Sequence, residues 1–101
     1  MTDLNSVIIE GEVTARIEGE LTVAVTRTYK GADGRPCNEV SYFNVVADER
    51  TAKYFDKLIA DCKRGDRIRV VGRLACKKCF TSRLTWYSKV FVVAEHIGEL
   101  R

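Results

Sequence analysis

The sequence predicts an all-β domain in which five strands close into a small barrel, with one α-helix between the third and fourth strands. Three observations lead to this prediction. Five runs alternate apolar and polar residues or are rich in β-branched residues, as strands are. One segment alone has convincing helical spacing. The length of 101 residues suits one domain, so we expect residues 1–101 to form a single unit.

The first two strands are predicted on either side of a tight turn. The run NSVIIEGEVTARIE carries Gly11 at its middle, where we expect a bulge or a bend as the strand curls. The turn EGE leads into LTVAVTRTY, in which Leu21, Val23 and Val25 share one face.

A polar stretch separates the second strand from the third. KGADGRPCNE contains two glycines and the only proline, which predicts an exposed hairpin loop over residues 30–39. VSYFNVVA follows as the third strand. Alternation within it assigns Phe43 to the core and Tyr42 to the surface.

The helix is predicted within DERTAKYFDKLIADCKRG. Asp48 is suited to cap its N-terminus, and Gly65 follows a basic last turn, as is typical of a C-terminal stop. The residues that recur at helical spacing are Ala52, Phe55, Leu58, Ile59 and Cys62. With GDRIRVVGRLACKKC as the fourth strand and YSKVFVVAEHIGEL as the fifth, the order of elements is that of an OB-fold, although other small barrels share this pattern.

Bulk composition excludes several classes of protein. No run approaches the roughly 20 apolar residues that a membrane helix needs. The start, MTDLNSVIIEGE, lacks the basic residues and the apolar core of a signal peptide. We therefore expect a cytoplasmic protein with no membrane association, whose four cysteines are reduced.

Positive charge is concentrated in one part of the chain. The segment 63–89 carries nine basic residues and one acidic residue, Asp66, whereas the whole chain has a net charge of only +3. Such a region indicates either a polyanionic partner or a solvated face. In the fourth strand Ile68, Val70 and Leu74 share the predicted core face.

On the opposite face of the fourth strand, successive positions lie about 6–7 Å apart, close to the phosphate spacing of an extended nucleic acid strand, and cations at four of them form a ladder. Its members are Arg67, Arg69, Arg73 and Lys77, and Lys78 follows them. Such a ladder supplies salt-sensitive affinity without reading sequence.

The motif Cys-x-x-Cys at the end of this strand is the spacing of a zinc site or a redox dithiol. In a regular strand, however, Cys76 and Cys79 face opposite sides, and no second paired motif supplies further ligands. We expect no metal and no other cofactor, and we interpret Cys62 and Cys76 as small core residues. The single histidine, His96, has no nucleophile near it in sequence, and no catalytic motif is present. The chain is therefore not expected to be an enzyme.

In addition to cations, proteins that bind single-stranded nucleic acid need flat aromatic rings on which the bases stack. Tyr29 lies at the start of the polar loop beside Arg27 and Lys30, and Tyr42 is assigned to the surface. Phe80 and Trp86 flank the last hairpin, with Tyr87 beside them. For each ring the alternative is core packing or a subunit contact.

Five segments occur in one order over nearly the whole chain: LNSVIIEGEVT, VAVTRTYK, VSYFNVVA, GDRIRVVGRL and SKVFVVAEHI. Together they resemble bacterial single-stranded DNA-binding proteins of the OB-fold type. The resemblance implies a homotetramer, or a dimer in some relatives, that coats single-stranded DNA in replication, repair and recombination and contacts other proteins of these processes. It also implies that the stacking rings fall on Tyr29 and Tyr42.

The sequence departs from this family at three places. Asp48 and Cys79 stand where members often have a stacking phenylalanine and a stacking tryptophan. Members usually end in a long tail with an acidic, apolar tip, whereas this sequence ends at HIGELR, as a truncated chain or a tailless relative would. As a tailless OB-fold chain of about this length, it also resembles primosomal replication protein N, a primosome component. The departures leave an OB-fold assembly module without strong DNA binding as a further alternative.

Overall fold

Within the part of the chain that the computed structural model describes, five strands form: β1 (Val7–Ile17), β2 (Glu20–Lys30), β3 (Pro36–Ala47), β4 (Arg67–Phe80) and β5 (Trp86–Glu99). The described residues are 2–17, 19–48, 50, 53, 57, 60–80, 83 and 86–100, without the side chains of Cys79 and Phe80. The strands close into a barrel in the order β1-β2-β3-β5-β4. Only β3 and β5 pair in parallel. The predicted five-stranded all-β barrel is confirmed.

Alternating side chains from all five strands fill the barrel. Among the described residues, the buried apolar cluster consists of Val13, Leu21, Val23, Val45, Ile68, Val70, Val92, Ala94 and Ile97. Burial of each larger side chain contributes about 1.5–3 kcal/mol to folding. Ile68 and Val70 lie inside and Phe43 packs against the cluster, as predicted. Leu21 and Val23, which share one face of β2, also lie inside, and Val25 packs against the cluster.

The first strand curls because it belongs to two sides of the barrel. It pairs with β4 up to Glu12 and with β2 from Glu12 onward. At the change of partner, a Cβ atom on Gly11 would overlap the carbonyl oxygen of Ala24, so only glycine permits this approach. The bulge of this strand does not lie at Gly11, as predicted, but further on, between Val13 and Ala15.

A second close approach joins β4 to β5. A Cβ atom on Gly72 would overlap the carbonyl oxygen of Val93. At the same point the register shifts, because Val71 pairs with His96 while Gly72 pairs with Ala94. The residue between them, Glu95, therefore has no direct partner in β4. Such a bulge bends its strand and redirects the extra side chain.

The loop between β2 and β3 is shorter than predicted. The two strands pair without interruption as far as Lys30 and Pro36, so the connection comprises residues 31–35 and not 30–39. Proline is compatible with the first position of a strand. Within the turn Gly34 has a φ of +80°, and the Arg35 amide donates to the Asp33 carboxylate at 3.1 Å.

Two hairpins extend beyond the core and form arms. In the β2–β3 arm (residues 26–40), every residue except Gly31 and Cys37 is exposed. In the β4–β5 arm (residues 74–80 and 86–90), the side chain of Leu74 is 43% exposed, so its prediction as a core residue was wrong. The radius of gyration is 15.6 Å, against about 13 Å for a compact domain of this length.

The predicted helical segment lies between β3 and β4. Its described residues Lys53, Lys57, Ala60 and Asp61 are helical. The predicted apolar residues Ala52, Phe55, Leu58 and Ile59 lie outside the described residues. Arg16 donates to the carbonyls of Ala60 (2.9 Å) and Cys62 (3.3 Å), as cations do at helix C-termini. No helix in the described ranges is long and apolar enough to cross a membrane.

The close approach at Gly72 gives a test of the barrel. Gly72→Ala forces a Cβ atom onto a backbone oxygen, and we expect the free energy of unfolding to fall by about 3 kcal/mol or more. Gly98→Ala is the matched control in β5, because a Cβ atom there meets nothing nearer than 3.9 Å. Its free energy of unfolding should stay unchanged or rise by up to about 1 kcal/mol. Urea unfolding measures both, and equal effects would contradict the close approach.

Candidate functional site

One outward face of the sheet combines rings and cations. The register aligns Val46 of β3 with Val93 of β5, and Val93 with Arg73 of β4, so the outward positions of the three strands lie on the same side of the sheet. We call this the aromatic–basic face, and its residues are Tyr42, Phe91, Lys89, Lys77 and Arg73. Tyr42 is 67% exposed, and its neighbour Phe43 packs on the core, which confirms the predicted faces of both side chains.

Lysines form the centre of this face. Lys77 and Lys89 lie directly opposite each other on β4 and β5, an arrangement that like charges disfavour unless an anion lies nearby. The ammonium of Lys89 lies 5.0 Å from the centroid of the Phe91 ring and 4.0 Å from the carboxylate of Glu20. Phe91 and Lys89 are not among the site residues predicted from the sequence. Alternation from the buried Val92 could have identified both.

Tyr29 lies on the other face of the hairpin from Tyr42. Tyr29 pairs with Cys37 and Tyr42 pairs with Ala24, and these rungs are an odd number of positions apart. The guanidinium of Arg27 lies 5.1 Å from the centroid of the Tyr29 ring and covers one side of it. The two tyrosines that the resemblance groups together therefore occupy separate surfaces.

A cleft of about 370 Å³ lies beside Tyr29 at the end of the β2–β3 arm. Thr28, Lys30, Gly34 and Pro36 complete its lining. Of the residues predicted near the polar loop, Tyr29 and Lys30 thus share one cleft, while Arg27 contacts the tyrosine ring.

Two cations of the predicted ladder are paired with carboxylates. Arg69 forms a hydrogen-bonded ion pair with Glu10, its direct neighbour across β1 and β4. Arg73 donates to Asp48 at 2.9 Å and to Glu95 at 3.4 Å. Alternation places all four ladder residues outward, but the surface there is partly neutralised. Arg67, Lys77 and Lys78 are exposed.

Asp48 connects the end of β3 to both neighbouring elements. The amide of Arg50 donates to its carboxylate at 3.2 Å, which confirms the predicted N-terminal cap. Only 7% of Asp48 is exposed, and it is the one buried charged residue in the described ranges. The hydrogen bond from Arg73, followed by that from the Arg50 amide, lowers the pKa of Asp48 below its ordinary value of 3.8. The same hydrogen bond raises the pKa of Arg73 above its ordinary value.

The β4–β5 arm carries further rings. Trp86 is 63% exposed, and Tyr87 is exposed on the opposite side of the strand. The side chain of Phe80, also predicted here, lies outside the described residues. Tyr87 shares the side of β5 on which Lys89 and Phe91 lie. The arm can therefore present rings to both of its sides.

The cysteines differ in their surroundings. Cys62 packs against the core, and burial, followed by the nearby carboxylates of Asp66 and Glu99, raises the pKa of its thiol above 9.0. Cys76 is exposed, so its prediction as a core residue was wrong, because β4 has left the barrel by that point. The β4–β5 ladder is unbroken from Gly72 to Phe80, as the predicted alternation requires. Within the described ranges no group of His, Cys, Asp or Glu could hold a metal ion.

Comparison with known proteins finds solved structures with a similar fold. No family model and no curated protein sequence matches the chain. The SSB of Plasmodium falciparum in complex with ssDNA has a TM-score of 0.82 at 14% identity, over 100% of this chain and 98% of that one. The small single-stranded DNA-binding protein from Streptomyces coelicolor has a TM-score of 0.67 at 18% identity, over 98% and 95%.

A third solved structure is a deletion mutant of the single-stranded DNA binding protein from Thermus aquaticus. Its TM-score is 0.74 at 25% identity, and the match covers 97% of this chain but only 51% of that one. The chain thus spans about half the length of the Thermus protein. These likenesses confirm the predicted OB-fold.

The ion pair of Asp48 makes stability depend on pH. Because its pKa is lowered by folding, the carboxylate stabilises the protein above pH 3.8 and loses this effect as pH falls through the folded pKa. An asparagine at position 48 can still cap the helix, but it carries no charge. Asp48→Asn should therefore lower the free energy of unfolding most at neutral pH, and the deficit should shrink below pH 3.8. Urea unfolding from pH 7 to pH 2.5 measures it, with Glu39→Gln, an exposed carboxyl of the β2–β3 arm, as control.

The thiols should react at different rates. At pH 8 we expect iodoacetamide to modify Cys76 at least about tenfold faster than Cys62, whose thiol is part-buried and has a raised pKa. Mass spectrometry of tryptic peptides separates the two sites. In urea the rates should converge. Equal rates in the folded protein would contradict the positions of both side chains.

Proposed function

We propose that the chain is a sequence-independent single-stranded DNA-binding protein that acts in DNA replication, repair and recombination. The observation that carries the proposal is the aromatic–basic face, where the exposed ring of Tyr42 lies on one surface with lysines and an arginine. This surface lies on a fold shared with three proteins that are described as SSB or single-stranded DNA-binding proteins.

Stacking is the first part of the proposed mechanism. A base that has left the double helix exposes a flat face, and stacking it on an aromatic side chain contributes about 1–3 kcal/mol. Tyr42 projects from β3, and the surface of strands two and three is where OB-folds bind oligonucleotides. Phe91 lies on the same side of the sheet, two strands away from β2, although the ammonium of Lys89 covers part of it.

Phosphate contacts are the second part. Lys77, Lys89 and Arg73 are spread over two adjacent strands, so an extended backbone can contact them in succession. These groups recognise charge and not base identity, which makes the binding independent of sequence. The strand would then pass between the arms, where Tyr29 with Arg27 and Lys30 on one side and Trp86 with Lys78 on the other would add contacts.

The wider setting follows from the family resemblance. We propose that the protein works in the cytoplasm as a homo-oligomer, a tetramer or a dimer, without catalytic activity of its own. Replication and repair proteins would be its protein partners. An oligomer would multiply the number of phosphates contacted on one strand, and the affinity would rise accordingly.

The neutralised arginines favour one second candidate. Because Arg69 and Arg73 are paired with carboxylates, the fold could serve as an assembly module that binds DNA weakly. The two candidates differ in a simple measurement of binding at low salt.

The proposed function predicts strong salt dependence. Fluorescence anisotropy with labelled oligo-dT should show binding at 50 mM salt, with log K falling against log salt at a slope of about −2 for three phosphate contacts. Double-stranded DNA of the same length should bind more weakly, because its bases are not available for stacking. Absence of oligo-dT binding at 50 mM salt would favour the assembly module.

A substitution tests the stacking ring. Tyr42→Ala should weaken oligo-dT binding by about 1–3 kcal/mol, while Tyr42→Phe, which keeps the ring, should bind like the wild-type protein. Tyr29→Ala should cost less than Tyr42→Ala, because Arg27 covers one side of that ring. Anisotropy titrations at one salt concentration measure all three. Equal binding by Tyr42→Ala and Tyr42→Phe would exclude stacking at this position.

A further inference from the structure

We propose that two carboxylates, Glu10 and Glu95, occupy the guanidinium groups of Arg69 and Arg73 in the free protein and thereby limit its affinity for the phosphates of single-stranded DNA. This inference rests on the proposed function. Glu10 and Glu95 would then set both the affinity for single-stranded DNA and the dependence of that affinity on salt.

The first pair spans β1 and β4. Glu10 and Arg69 are direct neighbours across the ladder, and the guanidinium contacts the Glu10 Oε1 atom through both Nε (2.6 Å) and Nη2. Arg69 lies on the side of β4 that also carries Arg73 and Lys77, so it extends the aromatic–basic face. Both side chains of the pair are about half exposed, and a phosphate can reach the arginine once the carboxylate has moved.

The second pair depends on the bulge in β5. The register shift at Gly72 leaves Glu95 without a partner in β4, and its carboxylate lies 3.4 Å from the Arg73 guanidinium. Asp48 contacts the same guanidinium at 2.9 Å. The two acids differ in surroundings, because Asp48 is buried and Glu95 is half exposed. Asp48 therefore holds Arg73 in place, whereas Glu95 can leave it.

Carboxylate and phosphate compete for the same group. The planar guanidinium binds either anion through parallel hydrogen bonds, so a carboxylate already in place excludes the phosphate and also repels it. Exposed ion pairs are weak, so a phosphate can displace the carboxylate. The released carboxylate then takes up a cation from solution. This uptake offsets part of the cation release from DNA that makes binding salt-dependent.

Removal of the two carboxylates should tighten binding. We expect E95Q to raise oligo-dT affinity about fivefold at 50 mM salt, and E10Q/E95Q to raise it further, because a phosphate then binds Arg73 or Arg69 without displacing Glu95 or Glu10. The slope of log K against log salt should steepen by about 0.7 for each substitution. Anisotropy titrations between 50 and 300 mM salt measure both quantities.

The matched control removes the same charge elsewhere. E39Q/E99Q changes two exposed glutamates for which the described contacts give no ion pair, and its affinity should rise less than about threefold with little change in slope. Circular dichroism melts confirm that the variants fold. If E10Q/E95Q melts at a lower temperature than the wild-type protein, E95Q alone still tests the inference, because Asp48 still holds Arg73 in E95Q.

The outcomes separate this inference from the proposed function. If the wild-type protein binds oligo-dT but E10Q/E95Q has the affinity and slope of E39Q/E99Q, the inference is overturned and the proposed function stands. If neither the wild-type protein nor E10Q/E95Q binds at 50 mM salt, both are overturned. Tighter binding with a steeper slope in E95Q and E10Q/E95Q, but not in the control, supports the inference.

Discussion

The barrel depends on two places where a backbone carbonyl occupies the space that a side chain would fill. At Gly11 the carbonyl of Ala24 approaches β1, and at Gly72 the carbonyl of Val93 approaches β4. The first approach lies where β1 exchanges one partner strand for the other, and the second lies where β5 bulges. The five strands can close around a small apolar cluster because glycine lets the backbones approach closely at these two places.

Closure also positions the surface that we assign to DNA. The bulge at Gly72 brings Glu95 to Arg73, and Arg73 in turn holds the buried carboxylate of Asp48, which begins the helical segment. A single ion-pair network thus joins β3, β4, β5 and the start of the helix. The register between β4 and β5 places the outward side of β4 beside Lys89 and Phe91.

Charge on this surface is balanced more closely than the segment's nine basic residues indicate. Arg69 and Arg73 each contact a carboxylate, and Lys89 lies near Glu20. The two paired arginines can bind a polyanion only by exchanging their ion pairs for phosphate contacts. Affinity is then a difference between two similar interactions, which a single substitution can shift in either direction.

The sequence by itself determined the five strands, the faces of Tyr42 and Phe43, and the cap at Asp48, because alternation and capping are local properties. Only the tertiary structure decided which residues meet across strands. Glu10 reaches Arg69 across 59 positions, and the two tyrosines fall on opposite faces through the register of one hairpin. It also decided where β4 leaves the core, which exposes Leu74 and Cys76. Register and closure arise from packing between distant segments, and no local pattern encodes them.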